Sequence, residues 1–176
     1  MPLFSIGYGS RKISEFTSLL NKYEISYLID VRTKPYSKFN NDFSQSNLRR
    51  TLEAAGVRYV YMGDTLGGLP SDDNCYTDGR VDYEKTAKSN VFRSGLTRLL
   101  RANDIPDKVI IMCTEGKPHE CHRCKLIGVE LQQKGISLTH IDEHGSLISQ
   151  DEAYMRLTQG QESLFGHALT SNKKYR

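Results

Sequence analysis

Short apolar runs rich in β-branched residues alternate along this chain with stretches whose apolar residues recur every three or four positions. That alternation constrains the fold more than any other feature. A strand that leads into a helix and then into another strand packs as a parallel sheet covered by helices. Residues 3–6, 27–31, 57–62, 109–113 and 137–141 read as strands. Phe16, Leu19, Leu20 and Tyr23 form one helical stripe, and Leu48, Leu52 and Ala55 another that stops at Gly56. Residues 83–88 and 92–101 are helical, and so is the stretch through Leu126, Ile127, Val129 and Leu131, which stops at Gly135. Ser149-x-x-Glu152 has the form of a capping box for a last helix. Residues 63–80 are turn-rich and irregular, too long a connection to be a plain link. The expectation is one α/β domain over residues 1–176, a three-layer sandwich with a mostly parallel sheet and helices on both faces. A less regular tail begins at about residue 159.

In open sheets of this class, ligands bind beyond the carboxyl ends of the strands. Three polar stretches follow predicted strands directly: residues 7–11, 30–37 and 113–123. The last is the richest. Val109 to Met112 are apolar, a Gly- and Pro-containing loop follows, and a helix begins near Cys121. Three of the four cysteines, two of the five histidines and an arginine lie around that turn. A helix N-terminus favours anions and thiolates there. Gly7-x-Gly9 has two glycines of a dinucleotide-binding turn, but Lys12 stands in the third position, so a tight strand-to-helix turn is the better reading. Asp30 and Arg32, two apart on a strand, point to one side and either hold each other or leave the arginine for a ligand.

Composition narrows the class. With 38% hydrophobic and 26% charged residues the chain is that of a soluble globular protein. No run approaches the roughly 20 apolar residues that span a bilayer, so no membrane partner is expected. There is no visible secretory signal, and clustered cysteines are not a disulfide framework, so a reducing cytoplasm is expected. A net charge of +3 falls well short of a strongly basic DNA-binding domain. It admits an anionic small molecule or a nucleic acid as partner. Neither a cofactor nor an oligomeric state is specified.

Ile6-Gly7-Tyr8-Gly9, Asp30-Val31-Arg32-x-x-Pro35-x-Ser37, Leu66-Gly67-Gly68 and Cys113-x-Glu115-x-x-Pro118-x-x-Cys121-His122-Arg123 together resemble the DUF488 family, a domain of unknown function. The resemblance spans roughly the first 141 residues and implies a site made of Asp30, Arg32, Cys113, Glu115, Cys121, His122 and Arg123. Cys124 lies outside that motif.

Three chemistries fit these residues. In the first, an enzyme acts on an anionic or phosphorylated ligand. Cys121 is its thiolate nucleophile and Cys113 the rival, Glu115 is an acid/base, and His122 lies beside them. Gly7, Tyr8, Asp30, Arg32, Ser37 and Arg123 would bind the substrate, with Arg32 and Arg123 converging on the anion. Phosphatases and rhodaneses also place a cysteine between strand and helix, but here Arg123 follows Cys113 by ten positions rather than by a short loop. In the second, Cys113, Cys121 and Cys124 with His119 or His122 bind zinc. Because Cys124 is outside the motif, the expectation is no stoichiometric metal. In the third, a module without catalysis binds nucleic acid or another partner. Arg49, Arg50, Arg93, Arg98 and Arg101 would contact phosphates, and Tyr36, Phe39 and Phe43 would stack on bases.

Overall fold

The computed structural model describes residues 3–158 and 169–176. Element order is β1 (Leu3–Gly7), α1 (Ile13–Lys22), β2 (Tyr27–Asp30), α2 (Gln45–Ala54), β3 (Arg58–Tyr61) and a short α3 (Gly63–Leu66). Then come β4 (Tyr76–Thr77), β5 (Arg80–Asp82), α4 (Tyr83–Lys88), α5 (Asn90–Asn103) and β6 (Val109–Cys113). A π-helical turn (Arg123–Gly128) runs into α6 (Val129–Gln132), followed by β7 (Leu138–Ile141), β8 (Leu147–Ser149), α7 (Gln150–Thr158) and β9 (Thr170–Lys174). The alternation read from the sequence is therefore present. Residues 159–168 of the expected tail lie outside the described residues.

Six strands form the main sheet in the order β3-β2-β6-β1-β7-β8. All neighbours are parallel except β7 and β8. Strand alternation divides the core between two faces. Val109, Ile111 and Cys113 of β6 join Leu66, Leu96, Leu99, Leu126 and Leu131 on one face. Ile110 and Met112 join Phe16, Leu20, Leu48 and Leu52 on the other. The sheet is thus buried on both sides by helices, which explains why β6 is apolar throughout.

The differences from expectation are all short elements. The segment 63–80 is not a bare loop: it contains α3 and β4, and β4, β5 and β9 make a small antiparallel sheet. Strand β8 lengthens the main sheet where only a turn was expected. The capping box at α7 is formed, with Glu152 Oε2 accepting from Ser149 N at 2.7 Å and Glu152 N donating to Ser149 Oγ at 3.1 Å.

The chain leaves β1 toward β2 and β3, and leaves β6 in the opposite direction toward β7. The carboxyl ends of β1 and β6 therefore flank the topological switch point, where open α/β sheets hold their ligands. Gly7 and Cys113 are register partners there, and Asp30 ends the next strand opposite Met112.

Candidate functional site

Cys113 is the last residue of β6, and the loop after it folds across the end of β1. Tyr8 N donates to Cys113 O at 3.2 Å and Gly9 N to Thr114 O at 2.8 Å. Gly7 is required by this crossing, since a Cβ at Gly7 would fall 1.7 Å from the Glu115 carbonyl oxygen. A 3₁₀ turn (Pro118–Glu120) then brings the chain back, and Cys121 and His122 lead into the π-helical turn that starts at Arg123. Wide turns of this kind are frequent at functional sites.

The two sulfurs meet. Glu115 Oε2 lies 3.1 Å from Cys113 Sγ and 3.2 Å from Cys121 Sγ. His122 Nδ1 lies 3.8 Å from the first sulfur and 3.6 Å from the second. The other ring nitrogen, Nε2, is 3.1 Å from the Leu66 carbonyl oxygen. A carbonyl only accepts, so Nε2 carries a hydrogen, and Nδ1 is the ring atom turned toward the sulfurs. Gly68 packs against the ring, where a Cβ would stand 2.8 Å from Nδ1. Arg123 is fully buried; its Nε donates to Cys121 Sγ at 3.3 Å, Nη1 to Ser5 Oγ at 3.1 Å and Nη2 to Glu115 O at 2.5 Å.

These contacts divide the two thiols. The hydrogen bond it shares with Cys121 raises Cys113 well above the usual thiol range, and burial adds to that. Burial also pushes Cys121 up, but the bond from Cys113 and the charges of Arg123 and His122 outweigh it and hold Cys121 well below. The pair titrates together. Burial raises the Glu115 carboxyl, and the Cys121 charge raises it further. Glu115 is an exposed residue as a whole, yet its Oε2 is turned inward onto the two buried sulfurs. Burial lowers His122, and the Cys121 thiolate reverses that.

A cavity of about 400 Å³ opens onto this centre. Cys113, Glu115 and His122 line it, as do Arg32, Thr33, Lys34, Gly68 and Tyr83. Ser171, Asn172, Lys173 and Tyr175 of the β9 region form another wall. Cys121 does not line it.

The remaining sequence-expected residues take other positions. Arg32 Nη2 pairs with Asp30 Oδ2 at 2.6 Å, and its Nη1 donates to Phe43 O at 2.8 Å. Both residues are buried, so the side chains hold each other, although Arg32 also lines the cavity. Tyr8 is buried on the opposite face of the sheet, stacked on Phe43 with ring centroids 4.2 Å apart. The Ser37 hydroxyl accepts from Asn40 N at 3.2 Å within its own loop. Cys124 lies beneath the turn beside Ile148 and Ala153, and burial pushes its thiol up to about 11. It is not among the donors that meet; Cys113, Cys121 and His122 are, with ligand atoms all within 4.8 Å of one another.

Sequence reasoning missed several neighbours of the centre. Ser5, His140 and Gln150 form a buried chain behind Arg123, in which Ser5 Oγ is 2.6 Å from His140 Nδ1 and His140 Nε2 is 2.8 Å from Gln150 Oε1. A serine and a histidine inside otherwise apolar strands were the available signal. Lys34 and the β9 wall carried none.

No helix among the described residues is long and apolar enough to cross a membrane. No curated protein matches the chain significantly. Two crystal structures of a "putative phosphatase (DUF442)" from Shewanella putrefaciens CN-32 are similar at 15% and 16% identity, with TM-scores of 0.43 and 0.40. The first alignment covers 77% of this chain and 69% of that one, the second 75% and 67%. Likeness at that level says nothing about chemistry in this chain. The model of the family described as "Domain of unknown function DUF488" matches residues 12–129, which include every residue of the sulfur centre but not Gly7. With more than half of its length matched, the chain belongs to the DUF488 family.

Proposed function

We propose that the protein is an enzyme acting on an anionic small molecule at the Cys113–Glu115–Cys121–His122 centre. One observation carries this reading: a concave, open site ends on a cluster of two thiols, an imidazole and a carboxylate, at the switch point of the sheet. Lys34 and Lys173 line the same cavity and supply positive charge to an entering anion. The anion's anchors are these lysines rather than the two arginines, because Asp30 already neutralises Arg32 and Arg123 points inward. Glu115, on both sulfurs and on the cavity, is the group placed to move a proton.

Calorimetric titration with phosphate monoesters and dicarboxylates tests the reading. Lys34→Ala with Lys173→Ala should weaken binding by about tenfold or more while folding is kept. Equal affinity in the double variant, or no anion bound by the native protein, would remove the substrate class.

A second reading has its own observation. Tyr36 and Phe39 are 69% and 96% exposed on the loop that carries Lys34 and Lys38, an arrangement suited to stacking on a single-stranded nucleic acid. Phe43, in contrast, is in the core. Steeply salt-dependent oligonucleotide binding, lost in Phe39→Ala, would favour this reading over the first.

A further inference from the structure

We propose that Cys113 Sγ, Cys121 Sγ and His122 Nδ1 bind a thiophilic divalent ion of the zinc class, with the fourth position open toward Glu115 and the cavity. Spacing is the first argument. Zinc takes sulfur at about 2.3 Å and nitrogen at about 2.0–2.1 Å in a tetrahedron, which sets sulfur-to-nitrogen edges near 3.6 Å. The Nδ1 atom lies 3.6 Å from one sulfur and 3.8 Å from the other. The Glu115 carboxylate oxygen lies beside this triangle, 3.1 and 3.2 Å from the two sulfurs.

Outer contacts are the second argument. A metal-binding imidazole needs its other nitrogen tied to an acceptor, which orients the ring and fixes its tautomer. The Leu66 carbonyl does this at 3.1 Å, and Gly68 fixes the ring from one side. Cys121 Sγ also accepts from Arg123 N at 3.5 Å and Nε at 3.3 Å, donors that a metal thiolate keeps.

Charge is the third. A metal binds cysteine as thiolate, so in the bound state Cys113 and Cys121 have each given up a proton to the solvent and supply two negative charges inside the protein. A divalent ion balances those two thiolates in a buried place, where an unbalanced charge is costly. Thiols that merely pack look different. Cys124 lies among Ile148 and Ala153, whereas Cys113 and Cys121 both face a ring nitrogen and a carboxylate. The set dispenses with Cys124, the residue on which the expectation of no metal rested. Glu115 also lines the cavity, so the fourth position is one that a substrate oxygen can reach. That catalytic use rests on the function proposed above; ion binding does not.

The test uses the full chain, reduced and stripped with a chelator, then titrated with Zn²⁺ and Co²⁺ against a chromogenic chelator. One equivalent per chain is expected, with tetrahedral cobalt bands and a sulfur-to-cobalt charge-transfer band. Cys113→Ser and His122→Ala should each weaken uptake by more than about a hundredfold, the upper end for losing an outer-shell partner. Cys124→Ser and Cys75→Ser should leave it unchanged. No uptake tighter than micromolar by native protein with all thiols reduced would overturn the site, without reference to any variant's folding. Equal loss in Cys124→Ser would overturn it too. Anion binding that persists without metal uptake sinks this inference alone, and metal uptake without anion binding sinks only the substrate reading.

Discussion

The guanidinium of Arg32 is held from inside the protein. Asp30 takes it through both carboxylate oxygens, the Phe43 carbonyl takes Nη1, and Tyr59 Oη donates to the same carboxylate at 2.8 Å. That Asp30 and Arg32, two apart where a strand ends, fall to one side was legible in the sequence. Their choice of each other over a ligand was not, because the competing acceptors come from residues 43 and 59. The same holds for Arg123. Its place at the helix start was readable, but its inward direction depends on Ser5 and the Glu115 carbonyl. Removing one partner of a buried pair leaves an unbalanced charge, so Arg32→Ala should cost about 3–5 kcal/mol of stability. Lys34→Ala, on the surface two residues away, should cost less than about 0.5 kcal/mol. Urea unfolding of both variants checks this. An Arg32→Ala protein as stable as the native one would make the arginine a ligand-binding residue instead of a clamp.

Strands and helices long enough to show their period were legible as elements: β1, β2, β3, β6 and β7, with α1, α2, α4, α5 and α7. What escaped were β4, β5 and β8, each of two or three residues, which cannot display an alternation. Strand β9 escaped for another reason. Its run Thr-Ser-Asn-Lys-Lys has no apolar face, and it is held through its backbone and through Lys125. Lys125 is only 3% exposed, and its Nζ lies 2.5 Å from Asn172 Oδ1 and 3.4 Å from Thr170 O. Asn172→Ala should therefore leave a buried ammonium short of a partner, at about 1–3 kcal/mol. For a chain of this size the unfolding midpoint should fall by at least about 2 °C. Adding Lys125→Met should recover most of the loss, because no charge is then left buried. If the double variant is no better than the single one, the cost lies in the strand pairing and not in the ammonium.

Acid stability of the whole molecule should depend on His140. Burial holds this histidine down at about 4, between Ser5 and Gln150. In the unfolded chain it titrates near 6.5. A base depressed by folding contributes stability that is fully present above the unfolded value and is lost as the pH falls through the folded one. Between pH 6.5 and 4 the native protein should lose on the order of 3 kcal/mol through this group. Denaturant midpoints for His140→Gln should fall less steeply across that window, and parallel profiles would remove His140 from the acid response. The four thiols offer a different view of the same molecule. All are free and buried: Cys75 beside β4, Cys113 at the cavity, Cys121 against His122 and Arg123, and Cys124 beside Ala153 of α7. An alkylating reagent in solution meets Cys75 and Cys113 at cavity walls, and reaches Cys121 and Cys124 only when the chain around them opens. The labelling rates, separated by peptide mass, would set cavity access beside local opening in one unmodified chain.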